Sequence, residues 1–581
     1  VVNYWGDFSG AKPMMRGVAM EKYLSKSGWC CGLIGLFALL LWGQTVRFDF
    51  VWDDALYIAQ NKSIRSLSNI PEIFRPRGAP SAEAPPSFYR PLRDTFYALL
   101  HALDGKETPQ PWIFHLANVL WHGAAAMLLF LVALLLCQRL TGGVSTAART
   151  ASLFIALGFA AHPVVSEVVC WAKSMDDLMA GVFVLAAARS LLKWDEGGRG
   201  YVAALVWFLL AVFSKESSVP FALAVFFVLH GFHKLPWRRS AKLAIPFLLV
   251  AFFYAGCRHW VMGRSSQCPP LSGTYGQTLI DMFPVASEYW RLLWGIPPFC
   301  ADYDWMPGMP PHPFLSGAVL GGVLLVLFFG ALAAWLWRRA EWRMAAFGLI
   351  WLGLFLLPVS NLLPMMQYMA ERFLYLPLMG FLLALGCVFL DFSRVRPRLA
   401  AALAAALIVI WTGTSLNRMG IWREDLTLFV RTEFEHPGIK RVEKNAVSAV
   451  LRLPQVAMGQ TAKKLTPEQA KGIITTLRRA RQIYPENDKL TTQLGLTYAK
   501  IGRWREAVAL LEMAVRQNPG FSERWYNLAS VYEWTGQPAK GREACAQALL
   551  LNPKFEVAQR LQMEIENELK DANAHKPPAP K

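Results

Sequence analysis

About eleven apolar segments run through the first 417 residues, and they constrain what this chain can fold into more than any other feature. They cover 30–46, 113–137, 151–169, 178–194, 201–214, 219–233, 243–262, 315–337, 344–363, 373–392 and 399–417. A helix of roughly 17–25 apolar residues crosses a bilayer. Hydrocarbon offers no partner to a backbone N–H or C=O, so each crossing must satisfy its own hydrogen bonds as a helix. With 54% hydrophobic and only 17% charged residues, the chain reads as an all-α polytopic membrane protein. Arg16, Lys22 and Lys26 precede the first segment, and no small-residue cleavage site follows it. It therefore reads as an uncleaved anchor, with 1–29 as a cytoplasmic N-terminal segment and Met20 as a candidate initiator.

Short basic loops set the orientation. Arg139 and Arg149, Lys193 and Arg199, Lys234 to Lys242, Arg338 to Arg343, and Arg394 to Arg398 fall in alternate loops on the side of the N-terminus. The loops 47–112 and 263–314, and everything after about 417, then face outward. The net charge of +18 is mostly this topological signal, and no nucleic-acid reader motif accompanies it. The second outward loop carries an amphipathic stretch, Thr278–Trp294, whose Trp290 and Trp294 suit a membrane interface.

The adjacent carboxylates Asp53 and Asp54 stand a few residues beyond the first segment. Bare carboxylates are costly beside hydrocarbon, so the pair asks for a metal, a proton-transfer task or a cation partner. Further polar clusters fall at the same outward level: His162 to Glu167 with Trp171 and Lys173, Asp176-Asp177, Ser214 to Ser217, and Glu371-Arg372. Asp53, Asp54, Glu167, Lys215 and Arg372 could converge on one outward cavity, with carboxylates for proton transfer or metal and cations for phosphate. His115, Asn118 and His122 share one helical face. They could bind a metal or a polar head group, but a buried hydrogen-bonded seam between helices is the favoured reading.

Beyond 417 the chain becomes polar, helical and repetitive. Leu494, Gly495, Tyr498, Gly502, Ala514 and Pro519 recur 34 residues later as Leu528, Ala529, Tyr532, Gly536, Ala548 and Pro553. That is the tetratricopeptide period, with a worn earlier copy over about 452–485. The expected organisation is a membrane domain over 30–417, a repeat domain over 418–570 and a disordered tail over 571–581. Such repeats mostly bind peptides or partner proteins. Nine cysteines show no metal spacing; Cys268 and Cys300 share an outward loop and could form a disulfide in an oxidising compartment.

Taken together, Trp52-Asp53-Asp54, Tyr89-Arg90-Pro91-Leu92, His115 to His122, His162-Pro163-Val164-Val165-Ser166-Glu167 with Trp171, Ser214-Lys215-Glu216, and Glu371-Arg372-Phe373-Leu374-Tyr375-Leu376-Pro377 form an ordered set. The set resembles the transmembrane and tetratricopeptide-repeat mannosyltransferases of the GT-C superfamily, over nearly the whole chain. The resemblance implies a GT-C fold and an inverting transfer of a sugar from a polyprenyl-phosphate lipid to an acceptor hydroxyl. A protein Ser/Thr presented by the repeats would be that acceptor. It implies Asp53 as general base with Asp54 beside it, and Arg372, Lys215 and Arg90 around the donor phosphate. His162, Glu167, Glu216, Tyr375 and His115 would line the pocket, with a divalent metal as an open option at Asp54, Glu167 and His162. The chain departs from animal members in its short repeat array and in Met175-Asp176, where an Arg-Asp pair is expected. A bacterial relative, seated in the inner membrane with its repeats in the periplasm, fits these departures. The alternatives are a non-catalytic membrane-anchored scaffold and a secondary transporter, which should show an internal repeat of its membrane half.

Overall fold

A computed structural model of the chain describes residues 14–75, 88–143, 145–195, 198–262, 268–303, 312–435 and 467–574 apart from 484, with short stretches between 442 and 449. Among them every regular element is helical. Two compact units form, the first running to Glu424 and the second taking up Asp425 onward.

Each of the eleven apolar segments coincides with helix, but not all are equivalent. Seven helices are long and apolar enough to cross a membrane: Ser27–Arg47, Pro111–Leu140, Trp237–Met262, Gly317–Trp337, Ala340–Val359, Glu371–Val395 and Pro397–Arg423. An eighth crossing exists if Thr146–Ala161 and Pro163–Cys170, which meet at 44°, count as one. The bend has a local cause. His162 precedes a proline and takes an extended conformation, and Pro163 brings no N–H to continue the ladder. Arg199–Ser214 and Glu216–Phe232 are shorter apolar helices, and Met175–Leu192 opens on Asp176 and Asp177. The first span is part of a helix that starts at Met14, so the expected N-terminal segment is partly continuous with it.

Small residues let the membrane helices approach. A Cβ on Gly348 would strike the carbonyl of Gly380, and a Cβ on Gly380 that of Gly348. Backbone proximity of this kind replaces the hydrophobic driving force that lipid cannot supply. The amphipathic stretch of the second outward loop is the helix Tyr275–Leu293. Trp290 and Trp294 both pack against Phe381 rather than serving only as interface anchors.

In the second unit, Asp488–Lys500 and Trp504–Gln517 form one helical pair, and Ser522–Trp534 and Pro538–Leu551 the next. Gly502 and Gly536, 34 residues apart, turn each pair with φ of 78° and 67°. Gly495 lets the helices of its pair close up, since a Cβ there would lie 2.9 Å from Leu511. The last helix runs to Ala574, so residues 571–574 are helical rather than the start of a disordered tail. Residues 452–466 of the worn early repeat lie outside the described residues; the described part is the helix Pro467–Ile483, with Ala480 buried.

Candidate active site

The chain leaves the first span in an extended conformation at Phe48 and turns sharply at Val51–Asp54. The Asp54 N–H donates to the Val51 carbonyl at 3.0 Å, and the Val51 N–H donates to Asp54 Oδ2 at 3.0 Å. This turn sends the two carboxylates to different environments. Asp54 is fully buried, and its Oδ1 accepts the Lys173 backbone N–H at 2.7 Å. The Asp53 side chain is 35% exposed, and its Oδ2 accepts the Lys173 ammonium at 2.9 Å. Lys173 thus holds both aspartates, one through its backbone and one through its side chain. Burial pushes the Asp54 carboxyl up to about 8, against the pull of the Val51 and Lys173 N–H donors. Burial also brings the Lys173 ammonium down to about 8, although Asp53 favours its charged form.

Trp171 organises the rest. Its ring stacks with Trp52 at 4.9 Å and with Trp422 at 5.9 Å between centroids. Its indole N–H donates to the Val51 carbonyl at 3.3 Å. The Lys173 ammonium lies 4.5 Å from the ring centroid and the Arg372 guanidinium carbon 5.5 Å from it. Arg372 gives one guanidinium nitrogen to Glu167 and the other to Gln367. Its backbone N–H donates to the second Glu167 oxygen at 2.9 Å. Asp53, Lys173, Arg372 and Glu167 therefore gather around one indole. Lys173 is the member of this group without an expected role. Its signal was position, an ammonium two residues after Trp171 at the end of an apolar segment.

Arg90 and Lys215 pair with a second set of carboxylates, and Arg90 shares the Phe88 ring with Lys173. Arg90 reaches Asp176 at 2.5 Å and Glu216 at 2.7 Å. Lys215 pairs with Asp177 and lies 3.4 Å from Asp176. Arg93 adds contacts to Asp94 at 2.8 Å and Asp176 at 3.4 Å. Cations buried this deeply must be matched by carboxylates, and Arg90, Arg93 and Lys215 each are. Glu216 belongs to the same network, with its side chain part-exposed. Where Met175 replaces the expected arginine, Arg90, Arg93 and Lys215 supply the counter-charge of Asp176. A third buried pair, Arg418 with Glu371 at 2.5 Å, is completed by the Tyr303 hydroxyl at 2.8 Å and the Cys300 N–H at 3.0 Å.

The histidines form the seam. His115 Nε2 donates to the Asp49 carbonyl at 3.4 Å. Asn118 donates to the carbonyls of Val169 and Trp171. His122 Nε2 donates to the Ala160 carbonyl, and its Nδ1 accepts the Tyr375 hydroxyl at 3.1 Å. His162 Nε2 donates to the Leu293 carbonyl at 3.0 Å, and its Nδ1 accepts the Val164 N–H. A metal at Asp54, Glu167 and His162 does not fit this arrangement. Both Asp54 oxygens accept backbone N–H groups, Glu167 is held by Arg372, and both His162 nitrogens are engaged. Among the described residues no three His, Cys, Asp or Glu side chains group as metal ligands. Nor is there a Cys268–Cys300 disulfide: both thiols are free, and Cys300 donates to the Asp302 carbonyl.

Fold and site together define a multi-pass helical membrane protein with tetratricopeptide repeats and a buried acid–base cluster beyond its first span. The tetratricopeptide repeat family matches residues 502–565. The chain is 25% identical over 462 residues to the human protein O-mannosyl-transferase TMTC4, covering 69% of this chain and 61% of that protein. It is 24% identical over 605 residues to mouse protein O-mannosyl-transferase TMTC3, covering 90% and 63%. To Drosophila melanogaster protein O-mannosyl-transferase Tmtc3 it is 27% identical over 473 residues, covering 67% and 49%. The chain is thus similar, over up to 90% of its length, to proteins of the TMTC family, the family its motifs resemble. It spans less than two thirds of the length of these relatives.

Proposed function

We propose that this protein moves a sugar, mannose by analogy with the names of its relatives, from a polyprenyl-phosphate donor to a hydroxyl of a protein acceptor at the outer face of the membrane. The observation that carries the reading is the Asp53–Lys173–Arg372 cluster. It sets one half-exposed carboxylate beside two cations around a single indole. Asp53 accepts the proton of the acceptor hydroxyl. The acceptor oxygen bonds to the anomeric carbon while the bond from that carbon to the phosphate oxygen breaks. Polyprenyl phosphate leaves with the electron pair, and a single displacement inverts the anomeric centre. Lys173 and Arg372 stabilise the charge that grows on the leaving phosphate. Arg372 holds a carboxylate with one nitrogen and only the neutral Gln367 with the other. A phosphate oxygen can replace the Gln367 contact with a gain in charge pairing. Basic-loop asymmetry supports outward placement of this cluster and of the repeats, which present the acceptor. No step passes through a metal.

The test is transfer by purified Asp53→Asn, with polyprenyl-phosphate mannose as donor and an unstructured Ser/Thr-rich peptide as acceptor. Loss of a general base typically lowers the rate by about 10²–10⁴-fold. A near-wild-type rate in folded Asp53→Asn rejects the assignment.

A further inference from the structure

We infer that Trp52 is a positioning residue, whose stack on Trp171 clamps the backbone that carries Asp53. The inference rests on the reading of Asp53 as the base. It starts from an anomaly: Trp52 has φ of +54°, one of three non-glycine residues at positive φ among those described. It occupies the second position of the Val51–Asp54 turn. Turns with positive φ at that position ordinarily use Gly, which takes the conformation without steric cost, whereas a bulky side chain there is strained. Strain persists only where the surroundings over-determine it, and it gathers at functional sites. If the turn alone mattered, glycine would serve better.

The indole is therefore what the position requires. Its plane lies 14° from that of Trp171, with ring centroids 4.9 Å apart. Trp171 also holds the Val51 carbonyl through its N–H and stacks on Trp422. Trp422 sits in the turn Gly420–Arg423 that ends the last span. The Arg423 carbonyl of that turn accepts the Asp49 N–H at 3.0 Å. Residues 49–52 are thus tethered through the Asp49 N–H and carbonyl, the Val51 carbonyl, and the rings of Phe50 and Trp52, and of these contacts the Trp52 stack lies next to Asp53. On the far side, the buried Asp54 carboxyl group holds the N–H groups of Val51 and Lys173. The outcome is a rigid backbone beneath an accessible carboxylate. A base held this way is aimed before the acceptor arrives, and misplacement by about 1 Å can cost on the order of 10²-fold in rate.

The experiment uses the full chain with polyprenyl-phosphate mannose and the same peptide, in four forms: wild type, Asp53→Asn, Trp52→Gly and Trp52→Phe. Trp52→Gly accepts the positive φ but removes the ring. Its kcat should fall by roughly 10–100-fold while KM for the donor stays within about twofold, because the loss is in alignment and not in binding. Trp52→Phe keeps a ring on the same backbone and should recover most of that kcat. Wild-type kcat in Trp52→Gly overturns the inference, as does a Trp52→Phe as impaired as the glycine variant. A large rise in donor KM also overturns it, since the ring would then be touching substrate. If Trp52→Gly does not fold, Trp52→Leu is measured per folded molecule, and wild-type kcat there has the same force. Transfer by Asp53→Asn at the wild-type rate would defeat the reading of the base itself. An inactive Asp53→Asn beside a fully active Trp52→Gly would defeat only the role of the ring.

Discussion

Asp53 and Asp54 are neighbours in sequence with opposite duties, and Asp54→Asn isolates the structural one. The Asp54 carboxyl is fully buried, with Oδ2 facing the Val51 N–H and Oδ1 facing the Lys173 N–H. An amide keeps the shape but turns one acceptor into an NH₂ group, which leaves one buried backbone N–H facing another donor. A buried group without its partner costs about 1–3 kcal/mol. That deficit should appear near pH 5 as a lower melting temperature of detergent-solubilised protein. The pH dependence supplies a second, independent check. Burial raises the Asp54 carboxyl from its ordinary value near 3.8 to about 8 in the folded protein. The folded state therefore holds a proton that the unfolded chain releases between those values. Stability from this group is fully present below about 3.8 and is lost as pH rises through about 8, by at most about 1.4 kcal/mol per pH unit. Asp54→Asn cannot ionise and lacks that slope, so the advantage of the wild type should shrink steadily from pH 5 to pH 8. Equal stability at pH 5, or a gap that does not change with pH, would refute the placement of Asp54 as a buried, protonated acceptor.

Three further outcomes follow from the cations. Arg372→Lys cannot reach Glu167 and a phosphate oxygen with a planar fork, so donor KM should rise by roughly tenfold or more. Lys215→Met should leave donor KM unchanged and instead destabilise the fold by about 3–5 kcal/mol, since it strands Asp177 without its cation; equal donor KM effects in the two variants would return Lys215 to the phosphate site. The Lys173 ammonium, brought down to about 8 by burial, loses its proton as pH rises through that value. Donor KM should therefore increase between pH 7 and pH 9, and a flat profile would remove Lys173 from the phosphate site.

The fold was readable because its determinants are local. Each apolar run became a helix where it was expected, and the 34-residue recurrence of Gly502 in Gly536 marked the turns of the repeats. Span counting was less secure for a physical reason. Segment 151–169 contains His162-Pro163, which breaks a helix, and 201–214 and 219–233 are short of a full crossing. Length and apolarity alone do not tell a bent or short helix from a crossing one.

The site was legible in its inventory but not in its pairing. Asp53, Glu167 and Arg372 were recognisable as charges that membrane edges do not tolerate without purpose. Which charge answers which is fixed only in three dimensions: Arg90 finds Glu216 across 126 residues, and Arg372 finds Glu167 across 205. From sequence, Arg90, Lys215 and Arg372 were equivalent cations near an outward surface. In the structure Arg90 is balanced by Asp176 and Glu216, and Lys215 by Asp177. Arg372 divides itself between one carboxylate and one neutral amide. That difference decides which of them can receive an anion. A guanidinium already saturated by carboxylates gains nothing by exchanging one anion for another, whereas one that holds Gln367 gains a charge pair. The same accounting brings forward Lys173, whose ion-pair partner Asp53 is the part-exposed member of its pair. Around Trp171 an incompletely paired guanidinium and a part-exposed carboxylate coincide, and that coincidence is why the proposed reaction is placed there.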